Sequence, residues 1–190
     1  MTRPMLWTVA VLAAIAALFF GLGRLLADAW TVETVRLLAI DRGRIAAVLA
    51  DLPAWQQWCT VDPVLGANTE RRVESARAEH RGRIVWNGAQ GEAALTFTAL
   101  DADVVRYAWT IRTVPIGSGS IRLRPVAGGT EVCWTDDGRL PNVGARWVGW
   151  FGALQEAVRK QQETSIANLA SRIEAADAAA GPPAGAPTDK

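Results

Sequence analysis

Few side chains in this sequence are suited to chemistry, and they are scattered. The chain of 190 residues has one histidine, His80, and one tyrosine, Tyr107. His80 titrates near neutrality and is the residue type of a general base, although a histidine at a strand end is as readily a solvated one. Tyr107 can donate a hydrogen bond to a bound carbonyl, or serve as an acid. Cys59 and Cys133 are too few for a disulfide framework, lack Cys-x-x-Cys spacing and have no assignable base to make a thiolate nucleophile. Glu92 lies on the outward side of its strand. Asp136-Asp137-Gly138 reads as a turn closing the last strand, with no second acidic cluster to complete a metal site. The sequence has no Ser-x-x-Lys, Gly-x-Ser-x-Gly, phosphate-loop or dinucleotide fingerprint. No catalytic residue, metal ligand or cofactor follows from these residues.

Nine tryptophans against one tyrosine point instead to recognition of something apolar. Trp55 and Trp58, at i and i+3, share a helix face. They either gate a cavity or plug the end of the sheet. Trp86, Phe97, Tyr107, Trp109 and Trp134 alternate with polar neighbours such as Arg83, Thr96, Arg106, Thr110 and Thr135, which places them on one face of a sheet. Trp147, Trp150 and Phe151 open a helical stripe. The residues expected to line a ligand pocket are Trp55, Trp58, Trp86, Phe97, Tyr107, Trp109, Trp134, Trp147 and Phe151. The same rings can equally well fill the core and leave no pocket.

The elements that must hold these residues follow from periodicity. Thr31 to Leu38 reads as a strand. Asp41 is an N-cap residue type, and Ile45, Val48, Leu49 and Leu52 recur at helical spacing. Pro53 ends that helix and opens a second, PAWQQWC. A loop through Asp62-Pro63 and Gly66 follows. Six strands come next, near 69–76, 79–87, 90–100, 103–113, 117–125 and 130–138. The turns between them fall at Asn87-Gly88, Asp101 to Asp103, Pro115 to Gly119 and Gly128-Gly129, and such short connections favour antiparallel neighbours. One long helix over 143–174 carries Trp147, Trp150, Phe151, Leu154 and Val158, then Ile166, Leu169 and Ile173. The fold class is α+β, in β-α-α-β6-α order: a curved antiparallel seven-stranded sheet wrapped around a long C-terminal helix.

The ends differ from this body. Met5 to Gly23 holds nineteen residues without a charge, and a helix of that length spans about 28 Å, close to a bilayer core. Trp7 and Trp30 flank it, as membrane-interface tryptophans do. Residues 1–29 therefore read as an N-terminal membrane anchor and the protein as a single-pass membrane protein. The alternative is a signal peptide cleaved after Ala27-Asp28-Ala29. Arg3 precedes the span; Arg24, Arg36, Arg42 and Arg44 follow it, and both orientations are open. Residues 175–190 are rich in Ala, Gly and Pro and read as a disordered tail. Twenty basic and nineteen acidic residues leave a net charge of +1. That lacks the excess of base that phosphate neutralisation needs, so no nucleic-acid partner is expected. Arg81, Arg83, Arg106, Arg112, Arg122 and Arg124 line the strand exteriors, as a charge-paired face or as a stripe toward anionic lipid.

In this order the chain resembles the START/polyketide-cyclase superfamily (SRPBCC), whose fold is the helix grip. The resemblance covers residues 30–174. It rests on Trp55-Gln56-Gln57-Trp58 after Asp51-Leu52-Pro53, with Asp62-Pro63 downstream. It rests also on Gly82 to Trp86 before Asn87-Gly88, similar to the family's glycine–tryptophan hairpin. Gly129-Thr130-Glu131-Val132-Cys133-Trp134 resembles its Gly-Thr-x-Val-x-Trp strand. Arg146-Trp147-Val148-Gly149 and Asn168-Leu169 resemble pieces of its last helix. Cys59-Thr60-Val61 departs from the Ser-Pro-Trp of many relatives at the cavity mouth. The resemblance implies a cavity between sheet and long helix for a hydrophobic or amphipathic, lipid-like small molecule, and it favours an anchor over a cleaved signal. It implies no fixed chemistry, since members include lipid carriers, hormone receptors, cyclases and co-chaperones. A polyketide cyclase or dehydratase, and an interaction module with a filled core, are the other functions in view. A cavity below about 300 Å³ favours the last of these.

Overall fold

The computed structural model describes residues 3–60, 70–76, 81–88 and 91–180. His80 and the loop through Asp62-Pro63 and Gly66 lie outside them. Helix α1 (Arg3–Leu25) precedes β1 (Ala29–Leu38), α2 (Arg42–Ala50) and α3 (Leu52–Trp58). Six strands follow: β2 (Glu70–Glu74), β3 (Gly82–Gly88), β4 (Gly91–Leu100), β5 (Val104–Ile111), β6 (Val114–Val126) and β7 (Gly129–Arg139). Two helices close the chain, α4 (Val143–Trp150) and α5 (Ala153–Ala180). All seven strands pair antiparallel in the order β1-β7-β6-β5-β4-β3-β2. This is the fold class expected from the sequence.

Local signals explain most boundaries. The Asp41 side chain caps α2, accepting from the Gly43 amide at 2.8 Å. Pro53 sits in the first turn of α3, where its missing N–H costs nothing. The inward parity of the central strands is apolar and buried: Ile84 and Trp86, Leu95 and Phe97, Val105 and Tyr107, Ile121 and Leu123, Val132 and Trp134. Helix α5 supplies Ile166, Leu169 and Ile173 to the same core. Outward-facing arginines are charge-paired: Arg83 with Glu92 at 2.8 Å, Arg124 with Glu131 at 2.7 Å.

Four details differ from the expectation. Gly88 pairs with Gly91, so Asn87-Gly88 belongs to β3 rather than to the turn. The β5–β6 turn is made by Arg112 and Thr113, both at positive φ (50° and 67°), and Pro115 to Gly119 are strand. The long C-terminal helix is two helices, broken where Gly152 takes φ 77°. Helix α5 runs six residues past Glu174, to Ala180. The alanines there are strong helix formers, and Arg44 pairs with Asp177.

Helix α1 contains a 21-residue stretch, Met5–Leu25, long and apolar enough to cross a membrane. Its side chains from Met5 to Leu25 are exposed except at Gly23. There α1 meets α4. A Cβ on Gly23 would lie 2.7 Å from the Trp147 indole nitrogen and would collide with Val143. Glycine therefore permits Trp147 to donate to the Phe19 carbonyl at 3.2 Å and to stack on the Phe19 ring at 5.5 Å.

Candidate functional site

The nine aromatic residues expected to line a pocket fall into three groups. Trp55, Trp58, Phe97, Tyr107 and Trp134 are at most 2 % exposed and pack against one another, with ring centroids 4.6 Å apart for Trp55–Trp58 and 4.8 Å for Trp55–Phe97. The Trp55 indole is fixed by the Leu49 carbonyl at 2.8 Å. The Trp55–Trp58 pair thus plugs the sheet. Each of these large rings removes roughly 150–250 Å² from water, about 4–6 kcal/mol gross at 25 cal/mol/Å². Displacing one to admit a ligand is correspondingly costly. Trp86 and Trp109 form the second group, stacked at 5.9 Å. Trp147 and Phe151 form the third and stand apart from the sheet: Trp147 packs against α1, and Phe151 is 72 % exposed. The helix break before α5 turns both away from the core.

Space remains one layer further along the strands. A cleft of about 120 Å³ opens there, with Trp30, Trp109, Ile111 and Ile116 on the sheet side and Leu154 and Val158 on α5. It exists because the inward positions at this level are small: Ala93 on β4 and Gly117 on β6. Of the nine expected residues, Trp109 lines it. Its walls are apolar, with two polar groups at the inner end, Asp136 and Gln161.

Asp136 is the residue that turn reasoning misplaced. It lies within β7, paired with Val32 on one side and Gly119 on the other, on the inward parity of Val132 and Trp134. It is 4 % exposed. One carboxylate oxygen accepts from the Tyr107 hydroxyl at 2.7 Å; the other accepts from the Gln162 amide at 2.8 Å. Tyr107 in turn accepts from the Trp134 indole at 2.5 Å, and Gln162 accepts from Thr34 at 2.6 Å. A Cβ on Gly119 would run into the Tyr107 ring and the Asp136 carboxylate, so the pair needs glycine opposite it. Burial raises the Asp136 pKa above the ordinary carboxylate range, and the hydrogen bonds from Tyr107 and Gln162 partly oppose that. Burial, then the neighbouring Asp136 charge, push the Tyr107 phenol well above its usual value. The network can therefore hold a proton at the cleft floor to higher pH than a solvated carboxyl.

Gln161 carries a different signal. Its amide nitrogen is buried with no hydrogen-bond partner, and the residue lines the cleft. A buried orphan donor is costly, and a ligand acceptor would satisfy it. Leu154, Val158 and Gln161 are spaced i, i+4 and i+7 on one face of α5, a pattern visible in the sequence. Cys59 and Cys133 are both free thiols.

A curved antiparallel sheet closed by a C-terminal helix, with an apolar cleft between them, defines a helix-grip architecture. The sequence matches the family model "Polyketide cyclase / dehydrase and lipid transport" over residues 29–174, and the chain belongs to that family. No curated protein matches it. Among solved structures it is similar to the Staphylococcus aureus protein of unknown function SA2116, with TM-score 0.59 at 12% identity over 78% of this chain and 96% of that one. It is similar also to Chromobacterium violaceum CV1439, with TM-score 0.52 at 16% identity over 78% and 99%. The di-domain aromatase/cyclase StfQ of the steffimycin biosynthetic pathway aligns with TM-score 0.57 at 10% identity, over 78% of this chain and 52% of StfQ. At these identities the likeness is one of fold.

Proposed function

We propose that this protein binds a hydrophobic or amphipathic, lipid-like small molecule end-on in the cleft between sheet and α5, while α1 tethers the domain (residues 30–174) to a membrane. The observation that carries this reading is the cleft's composition: apolar walls leading to one unpartnered buried donor, Gln161. At about 120 Å³ the cleft is near the roughly 150 Å³ apolar cavity that admits benzene. It takes one end of a chain or a single ring, and the rest of the ligand leaves through the mouth beside Ile116 and Leu154. Tethering raises the local concentration of membrane-derived ligands.

The test is binding of a fluorescent polyene fatty acid to the full chain in lipid nanodiscs, read as quenching of tryptophan emission. Saturable quenching is expected, and Val158→Trp, which fills the cleft, should abolish it. Gln161→Leu should weaken binding about tenfold, the loss of one hydrogen bond to a charged acceptor. Quenching unchanged by Val158→Trp would place the ligand elsewhere.

Two rival readings each have one observation behind them. The packed rings of Trp55, Trp58 and Trp134 leave a cavity smaller than the roughly 300 Å³ of ordinary ligand sites, which favours an interaction module with a filled core. Asp136 is a buried ionisable group at the cleft floor, which favours a cyclase- or dehydratase-like enzyme using it as acid or base. Asp136→Asn separates the enzyme from the carrier: it should abolish turnover in the first case and leave fatty-acid binding within a few-fold in the second.

A further inference from the structure

Helix α4 is the least buried part of the domain that faces α1. Its sequence VGARWVGW has one charge, Arg146. Val148, Trp150 and Phe151 are 51 %, 61 % and 72 % exposed, and the rings of Trp147, Trp150 and Phe151 contact one another with centroids 5.0 to 6.0 Å apart. Exposed aromatic clusters of this kind mark an interaction surface. What covers this one is set by where it is fastened.

Trp147 is hydrogen-bonded to Phe19 and packed at Gly23, within the last third of the apolar α1 run. At 1.5 Å per residue, Phe19 lies about 9 Å short of the end of that run at Leu25. Arg146 donates to the Arg24 carbonyl at 3.1 Å, so two guanidinium-bearing residues stand at the same end. A bilayer that takes up α1 along its apolar length therefore has its headgroup–acyl boundary at the level of α4. Amphipathic helices lying in that boundary sink about 5–10 Å below the headgroups, which is the depth the Phe19 contact sets. Tryptophan and arginine are the side chains that favour this zone.

We infer that α4 with Phe151 is a membrane-interfacial element, its Val148, Trp150 and Phe151 seated in the bilayer surface beside α1. The inference rests on the proposed insertion of α1. Its consequence for the cleft is direct. Leu154 begins the cleft wall three residues after Phe151, and Trp30, also on that wall, lies in β1 five residues after Leu25. On the sheet side of the cleft, Ile116 is 37 % exposed. The mouth thus opens at the bilayer surface, and a lipid-like ligand passes between membrane and cleft without crossing water.

The experiment uses the full chain in phosphatidylcholine vesicles, with lipids brominated near the carboxyl end of the acyl chain as quenchers. Trp150→Phe and Trp7→Phe change exposed side chains at opposite ends of the apolar assembly, and each is subtracted from the unsubstituted chain. The emission lost in Trp150→Phe should be blue-shifted, mostly quenched by brominated lipid and insensitive to aqueous iodide. A Trp150 component that is red-shifted and quenched by iodide overturns the inference. So does one shielded from both quenchers, which would put protein rather than lipid over α4. The Trp7 component separates the two levels of the argument. If brominated lipid quenches Trp7 but not Trp150, the tether stands and the interfacial role of α4 falls; if it quenches neither, both fall.

Discussion

Asp136 is the residue on which the polar half of the site depends. Its folded-state pKa is raised by burial, so the folded chain keeps this proton to higher pH than the unfolded chain does. Between those two values the folded state binds more protons, and stability falls as pH rises through that window. Urea titrations of the unsubstituted chain and Asp136→Asn across pH 4 to 7 should show the first losing stability relative to the second as pH increases. An equal pH response in both would mean that Asp136 ionises as a solvated carboxyl. Tyr107 is the second member. Tyr107→Phe removes the hydroxyl that donates to Asp136 and accepts from the Trp134 indole, and should cost about 1–3 kcal/mol in the same titration. Asp136 was legible in the sequence by parity alone, since Val132, Trp134 and Asp136 alternate. The Asp-Asp-Gly run, which usually marks a turn, hid it. Gln161 was hidden because its signal is a missing hydrogen bond, which only packing reveals.

At the scale of elements, glycine does two kinds of work here, and composition does not distinguish them. Pro115 to Gly119 looks like a turn because proline and glycine punctuate turns. The actual turn uses Arg112 and Thr113 at positive φ, whereas Gly119 clears space for Tyr107 and Asp136 within a strand. Gly152, by contrast, is needed for its backbone, at φ 77° with open space around it. The consequence is measurable by thermal unfolding with a denaturant series. Gly152→Ala should cost about 1–2 kcal/mol, the left-handed strain of a non-glycine residue. Gly119→Ala should cost about 1–3 kcal/mol by overpacking and should also disturb fatty-acid binding, because it displaces the cleft floor. The strand series, the two short helices and the closing helix were all legible, because alternation and helical spacing are strong where one face is buried. The break at Phe151-Gly152 was not. The apolar stripe continues across it, and its first members turn out to serve α1 rather than the sheet.

At the scale of the whole molecule, three things share one end: the C-terminal end of α1, the exposed aromatics of α4 and the mouth of the cleft. The sheet interior behind them is filled by buried aromatic rings, Trp55, Trp58, Phe97, Tyr107 and Trp134. The aromatic face was expected either to line a cavity or to fill the core, and the rings of Trp55, Trp58 and Trp134 are buried against one another there. What is left is a narrow apolar slot with Gln161 and Asp136 at its end. A photoreactive fatty acid with its diazirine near the carboxyl end, irradiated with the full chain in nanodiscs and mapped by peptide mass spectrometry, tests this most directly. The account predicts adducts concentrated in Ile111–Gly117 and Leu154–Gln161, and their loss in Val158→Trp. Adducts confined to α1, or unchanged in Val158→Trp, would contradict it.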